Sequence, residues 1–367
     1  MERRGLDVLL VTSPPNLLYL TGYAAIWYPW RLPLGAAIVR APASVMFFDW
    51  TRHEGYARLH ALFDELVLLE YGSAPQTVAV ALAERGLAGS TVGLERWGPT
   101  PAAPILDAVA AGLRGGGAQI AEGDWVVDKV RLAKSPAEVQ RIRRAAAMAD
   151  SALLGLREEL HPGMSELEIS ARLIGLLVEA GSELAACNPL VSSGPTAWAD
   201  NHAAPSHRRL VDGDVVAVDV CGVVDGYHAN LSRTYAVGTV NPRARDMLAR
   251  VADSVLELQR EARLGEGPEH AAAAADRYVR ERIPADQIWW VGGYALGLAL
   301  PPSWVGHTYL ANDGLERTTW HDGYVSNYET ILLDRQDGFE AATIDTLLMT
   351  EQGLEVLSEL PRELLVT

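Results

Sequence analysis

Apolar and polar positions follow two different rhythms along this chain. In the first 128 residues, strand-length apolar runs at residues 8–11 (VLLV) and 36–39 (AAIV) alternate with helical spacing such as that of residues 78–86, which predicts a small α/β domain. Beyond Ser135 the helix signals are stronger. Ser135, Pro136 and Glu138 form a capping box with proline at the first helical position and open an amphipathic helix to about Leu156. Ser165 and Glu168 form a second box, opening a helix that Gly181 ends. Asn241-Pro242 starts a helix expected to reach Gly265, and Pro268 starts one ending near Ile283. Strands are expected around 214–220, 227–237, 291–300, 325–333 and 341–349, with a hairpin turn over 222–226. Helices packed on one face of a curved, mostly antiparallel sheet make the second part an α+β domain.

At 367 residues and 49% apolar composition, the chain is long enough for two domains with their own cores. A net charge of -16 argues against nucleic acid or an anionic membrane as partner, because the field repels both. The apolar runs fall short of a membrane span and of a signal-peptide core, so a cytoplasmic protein is expected. Cys187 and Cys221 lack disulfide or metal spacing and read as buried thiols. Lys129 and Lys134 are the only lysines, which argues against Schiff-base chemistry. With no nucleophile elbow, phosphate loop or dinucleotide fingerprint, no cofactor is expected.

Candidate chemistry centres on residues 202–238. Asp219 is a lone acid in the apolar strand VVAVDV, where it needs a partner or a ligand, and Asn230 lies across the expected hairpin from it. Within this segment His202, Pro205, Arg209, Leu210, Gly213, Asp214, Asp219, Gly226, Tyr227, Arg233 and Thr234 resemble the pattern of the creatinase, prolidase and aminopeptidase P superfamily, the M24 or pita-bread family. The resemblance extends over nearly the whole chain, through residues 5–23, the connection from Val130, GYALG at 293–297 and Glu329 in YVSNYET. It implies a creatinase-type N-terminal domain over residues 1–130 and a pita-bread catalytic domain over 131–367.

Metal-dependent members of that family use two Asp, one His and two Glu, because two divalent ions need several anionic oxygens. Here Asp219 and Glu329 stand at the first-Asp and first-Glu positions, whereas Asn230, Tyr294 and Ile344 replace the second Asp, the His and the second Glu. An amide, a phenol and an alkyl group cannot replace two anions and an imidazole, so no metal pair is expected. The same losses mark creatinase, which works without metal and uses the His at the position of His202 as its acid/base group. Creatinase holds its substrate with Glu at the positions of Ile344 and Ser232, so creatine itself is not expected. The region around Tyr294 is also similar to ectoine-hydrolase-like members.

These features predict a metal-independent hydrolase cleaving a carbon–nitrogen bond in a small zwitterionic amidine, guanidino or amide compound. His202 would be the general acid/base, Tyr294 and Asn230 would donate to the developing oxygen charge, and Asp219 and Glu329 would hold the cationic part. The resemblance further implies a homodimer in which Arg31 with Tyr28 or Trp30 reaches the partner's active site, the guanidinium meeting a carboxylate. Trp198 and Trp304 are candidate pocket walls and His307 a candidate substrate contact. His228 shares the strand parity of Asn230 but reads as structural. An inactive binding protein of the same fold, and a metal-dependent X-Pro dipeptidase or aminopeptidase, are the competing readings.

Overall fold

The computed structural model describes residues 1–28, 30–199, 202–310 and 318–367. It divides into two compact units, Met1–Arg131 and Leu132–Thr367.

The first unit contains strands β1 (Val8–Val11), β2 (Gly35–Val39), β3 (Ser44–Trp50), β4 (Glu65–Leu69), β5 (Thr91–Leu94) and β6 (Gln119–Glu122), in the sheet order β4-β3-β2-β1-β5-β6. Helices α1 (Pro14–Thr21), α2 (Glu54–His60), α3 (Ala74–Glu84), α4 (Ala103–Gly115) and α5 (Val126–Leu132) lie between and after them. The uninterrupted apolar run of β1 has a direct cause. Val8 and Leu10 belong to one core cluster and Leu9 and Val11 to another, so both faces of the strand are covered.

The second unit begins with helices α6 (Pro136–Glu159) and α7 (Glu166–Glu179), and both predicted capping boxes are formed. Its sheet contains β7 (Leu190–Ser193), β8 (Val215–Val224), β9 (Tyr227–Ala236), β10 (Ile288–Gly292), β11 (Val325–Asp334) and β12 (Phe339–Thr350), ordered β10-β11-β12-β9-β8-β7. Strands β13 (Gly353–Val356) and β14 (Leu365–Val366) pair with β12 and β9. Helix α6 lies directly on this sheet: a Cβ at Gly222 would stand 1.9 Å from the Ala145 carbonyl oxygen. The fold is an α+β domain preceded by a smaller α/β domain.

Three expectations need correction. The β8/β9 turn is the two-residue Asp225-Gly226 pair, with φ of 49° and 77°, so β8 runs further than expected. The helix expected over 242–265 is broken into α8 (Pro242–Val251) and α9 (Ser254–Glu261), because Leu248 and Val251 pack in one cluster and Val255 and Leu258 in another. The strand expected over 291–300 is instead β10, ending at Gly292. The following residues make isolated bridges, where Gly293 runs against the Asn327 carbonyl too closely to admit a Cβ. Helix α10 (Glu269–Arg280) follows α9 and precedes β10.

The hairpins β8/β9 and β11/β12 are each paired along their length, but β9 meets β12 at the single backbone pair Ser232–Ile344. Side chains close the rest of that seam. Thr234 Oγ1 donates to the Ala342 carbonyl (2.9 Å) and accepts from its N–H (2.8 Å). Thr346 Oγ1 does the same with Asn230, at 2.9 and 2.8 Å. The fully buried Arg233 donates to the carbonyls of Ser232 (2.7 Å) and Ile344 (2.9 Å) and to Asp345 Oδ1 (2.7 Å), while Arg362 donates to Asp345 Oδ2 (2.6 Å). Removing one partner of a buried pair leaves a charge without compensation, so Arg233→Ala and Asp345→Ala should each lower unfolding free energy by about 3–5 kcal/mol. Urea denaturation measures this, with Thr346→Val expected to cost less, about 1–3 kcal/mol.

Candidate active site

A cavity of about 380 Å³ opens on the inner face of the second unit's sheet. Cross-strand register aligns its floor in one row: Asp219 of β8 opposite Ser232 of β9, Ser232 opposite Ile344 of β12, and Ile344 opposite Glu329 of β11. All four side chains line the cavity. Trp290, Tyr294, Trp304 and Tyr309 form aromatic walls, and Glu340 adds a third carboxylate further along β12.

Behind this row a chain of amides joins the two acids. Asn230 Nδ2 donates to Asp219 Oδ1 (2.5 Å) and to the Val220 carbonyl (3.2 Å). Asn327 Nδ2 donates to Asn230 Oδ1 (2.9 Å) and to Glu329 Oε1 (2.7 Å), and Asn327 Oδ1 accepts the Tyr294 backbone N–H (2.7 Å). The Tyr294 hydroxyl and the Trp290 indole also hydrogen-bond Glu329, and Trp304 Nε1 donates to the Tyr294 hydroxyl at 3.2 Å.

Enclosure dominates the electrostatics. Burial pushes Glu329 up to about 7 despite its hydrogen bonds. Asp219 is raised well above the ordinary carboxylate range, by burial first and then by the charge of Glu329, with the Asn230 bond opposing. Cys187, on the cavity wall, is pushed up to about 12 by burial and the nearby Asp219, so it is a neutral thiol and a poor nucleophile.

His202 lines the same cavity, exposed at its rim, with its ring edge-on to Trp289 at 5.2 Å. Its φ of 69° is left-handed, an uncommon conformation for a residue with a side chain and one that clusters at functional positions. The segment after it is pinned by Glu166 of α7, which accepts from the Ser206 N–H (2.9 Å) and hydroxyl (2.6 Å) and from Ser193 Oγ (2.6 Å).

Of the residues singled out in the sequence, the cavity brings together His202, Asp219, Glu329, Tyr294 and Trp304. Asn230 does not line it: both its N–H donors are committed to Asp219 and Val220, so the expected contact with a substrate oxygen gives way to a structural one. Tyr294 lines the cavity, but its hydroxyl is engaged with Glu329 and Trp304. Trp198 is not in the lining; its ring lies under the Arg335 guanidinium, 5.0 Å away. His307 is not in the lining either. His228 is buried with Nδ1 donating to the Gly226 carbonyl (2.9 Å) and Nε2 accepting the Ala186 N–H (3.0 Å), and burial lowers it to about 4. It is a neutral structural histidine. Tyr28, Trp30 and Arg31 belong to the first unit, where Tyr28 packs edge-on against Tyr23 and Trp30 and Arg31 are exposed.

Asn327, Glu340 and Trp290 were missed in the sequence. Asn327 had a signal, since it shares the strand parity of Glu329 two residues away; Glu340 sits at the start of its strand, where acids are ordinary.

The donor set does not suit the metal pair of the metal-dependent pattern. Among the described residues no three His, Cys, Asp or Glu side chains converge as a metal-binding group. Between the two surviving acids stands Ile344, and Asn230 presents N–H donors, not oxygen, to Asp219.

Comparisons with known proteins agree with this architecture. Residues 1–133 match the creatinase/prolidase N-terminal domain and residues 140–351 match the metallopeptidase family M24. An Xaa-Pro dipeptidase of Pyrococcus furiosus is 28% identical over 247 residues, 66% of this chain and 67% of that protein. An ectoine hydrolase of Halomonas elongata is 24% identical over 396 aligned positions, spanning 100% of this chain and 94% of that one. The crystal structure of a dipeptidase from Pyrococcus horikoshii OT3 superposes with a TM-score of 0.84 at 21% identity, covering 100% of this chain and 97% of its own, a likeness of fold. No helix among the described residues is long and apolar enough to cross a membrane. With the family match covering more than half of its length, the chain belongs to the metallopeptidase family M24, a family of hydrolases, and carries a creatinase/prolidase N-terminal domain.

Proposed function

We propose that the protein hydrolyses a carbon–nitrogen bond in a small cationic amidine or guanidino compound, without a metal ion and with His202 as general acid/base. One observation carries this reading: two enclosed carboxylates, Asp219 and Glu329, share a cavity whose donor set does not suit a metal pair. A planar N–C–N cation offers such acids both charge and N–H donors. His202 takes a proton from water as the water oxygen bonds to the central carbon. It returns that proton to the leaving nitrogen as the carbon–nitrogen bond breaks.

The cationic form of the substrate is favoured for a second reason. Hydroxide addition to a neutral amide creates an oxyanion that needs donors, and the groups expected for that task, Asn230 and Tyr294, already hydrogen-bond the acids. Addition to an amidinium gives a neutral intermediate instead. A zwitterion would need a cation for its carboxylate, and no Lys or Arg is among the described lining residues. The ectoine hydrolase relative supports carbon–nitrogen hydrolysis on this scaffold, whereas the Xaa-Pro dipeptidase relative supports the metal-dependent alternative.

Elemental analysis separates those two. The purified protein is expected to carry no stoichiometric divalent metal and to keep its activity in chelator; two ions per chain would overturn the reading. His202→Ala and His202→Asn should each lower turnover by about 100-fold or more, the scale of general acid-base catalysis, while thermal denaturation stays close to wild type because the ring is exposed. Cation binding requires the charged carboxylate, and Glu329 is raised to about 7. Affinity for a permanently cationic ligand should therefore be weak in acid and rise as pH increases through about 7, and Glu329→Gln should remove most of that rise. Titration calorimetry across that range reads it, and an affinity independent of pH would exclude Glu329 as the cation's partner.

A further inference from the structure

Beside the row that holds the two acids, the cavity floor turns apolar. Two residues along their strands from Asp219, Ile344 and Glu329 stand Ala217, Ala342 and Ile331, on the same face because side chains alternate. These three are buried and form one cluster, against which the partly buried Trp290 packs, and all four line the cavity. The other face of the same strands is covered by helices. Val216 and Val218 pack with Leu153 of α6 and Leu173 of α7, and Leu332 and Ala341 pack with Leu248 of α8 and Val279 of α10. Among the described residues no helix contributes to the Ala217 cluster, so what covers this apolar floor is the cavity's occupant. A second feature places the polar part of that occupant. Ser232 Oγ, in a residue 1% exposed, lies on the cavity floor between the acids with no hydrogen-bond partner among the described residues, a cost that a bound polar group would remove.

We propose that the substrate is an alkyl-substituted amidine or guanidino compound, its polar head at Asp219, Ser232 and Glu329 and its alkyl chain over Ala217, Ala342 and Ile331 against Trp290. This deepens the cationic-substrate reading and rests on it for the head group. The short side chains of Ala217 and Ala342 leave room beside the larger Ile331 and Trp290. Two residues of strand span about 7 Å, enough for a chain of roughly four or five carbons. The next cavity-lining position along β12 is Glu340, so the apolar stretch ends there. Each methylene taken from water onto this floor favours binding, whatever head group carries it.

Equilibrium binding tests chain and head separately, by calorimetry at pH about 8, where Glu329 is ionised. Linear amines from methylamine to octylamine are compared with linear alcohols from methanol to octanol; none has a bond this chemistry could cleave. In both series affinity is expected to rise about fourfold per carbon, the scale of one buried methylene, and to level off at roughly five carbons. Ala342→Leu and Ala217→Val fill the space over the floor. Each should flatten that rise and leave methylamine affinity unchanged, with an unaltered thermal midpoint confirming the fold. No rise with chain length in the wild type, a rise that both variants retain, or no binding by either series overturns the alkyl subsite. Amines that bind no tighter than alcohols of equal length, with the rise intact, would sink the cationic head and leave the subsite standing. Amines tighter than alcohols at every length, with no rise in either series, would sink the subsite alone.

Discussion

The seam between β9 and β12 determines whether Asp219 and Glu329 share one cavity. Each flanking hairpin is a self-sufficient ladder, yet Asp219 belongs to one and Glu329 to the other, and a single backbone pair, Ser232 with Ile344, sets their mutual register. A one-residue slip would turn every side chain of one hairpin to the opposite face. Arg233 prevents this from within the core, bonding carbonyls on both strands and the Asp345 carboxylate. Thr234 and Thr346 act on either side of it, each hydroxyl both donating and accepting where a backbone ladder bond would otherwise lie. The motif residues Arg233 and Thr234 thus act through the sheet.

Behind that register, the polarity of the amide chain decides what the cavity offers. Asn327 and Asn230 direct N–H groups at Glu329 and Asp219 respectively, so donors that a carboxylate-rich site would leave to a ligand are supplied by the protein. The acids stay enclosed and hard to ionise together. A carboxylate at position 230 would have presented oxygen in place of N–H. One amide therefore changes the electrostatic character of a cavity whose fold is otherwise that of its family.

Much of this was legible from local pattern. The two capping boxes, the apolar strands and the motif residues around Asp219 were read correctly because they depend on neighbours within a few positions. The failures share the opposite property. Residues 242–265 read as one helix because their spacing is continuous, but α8 and α9 pack into different cores. Residues 293–300 read as strand because they are apolar, but Gly293 lies too close to another strand's carbonyl for a regular ladder.

By itself, then, the sequence determined the family, the two-domain order of elements and the identity of the acid pair, since motifs and periodicities are local and survive without coordinates. Only the tertiary structure decided that Asn230 and the Tyr294 hydroxyl hydrogen-bond the acids, that Asn327 links the two hairpins, and that Glu340 joins the cavity lining. The reason is geometric. Which way an amide points, and which acid shares a cavity with another more than a hundred residues away, are settled by cross-strand register and burial, which no spacing along the chain encodes.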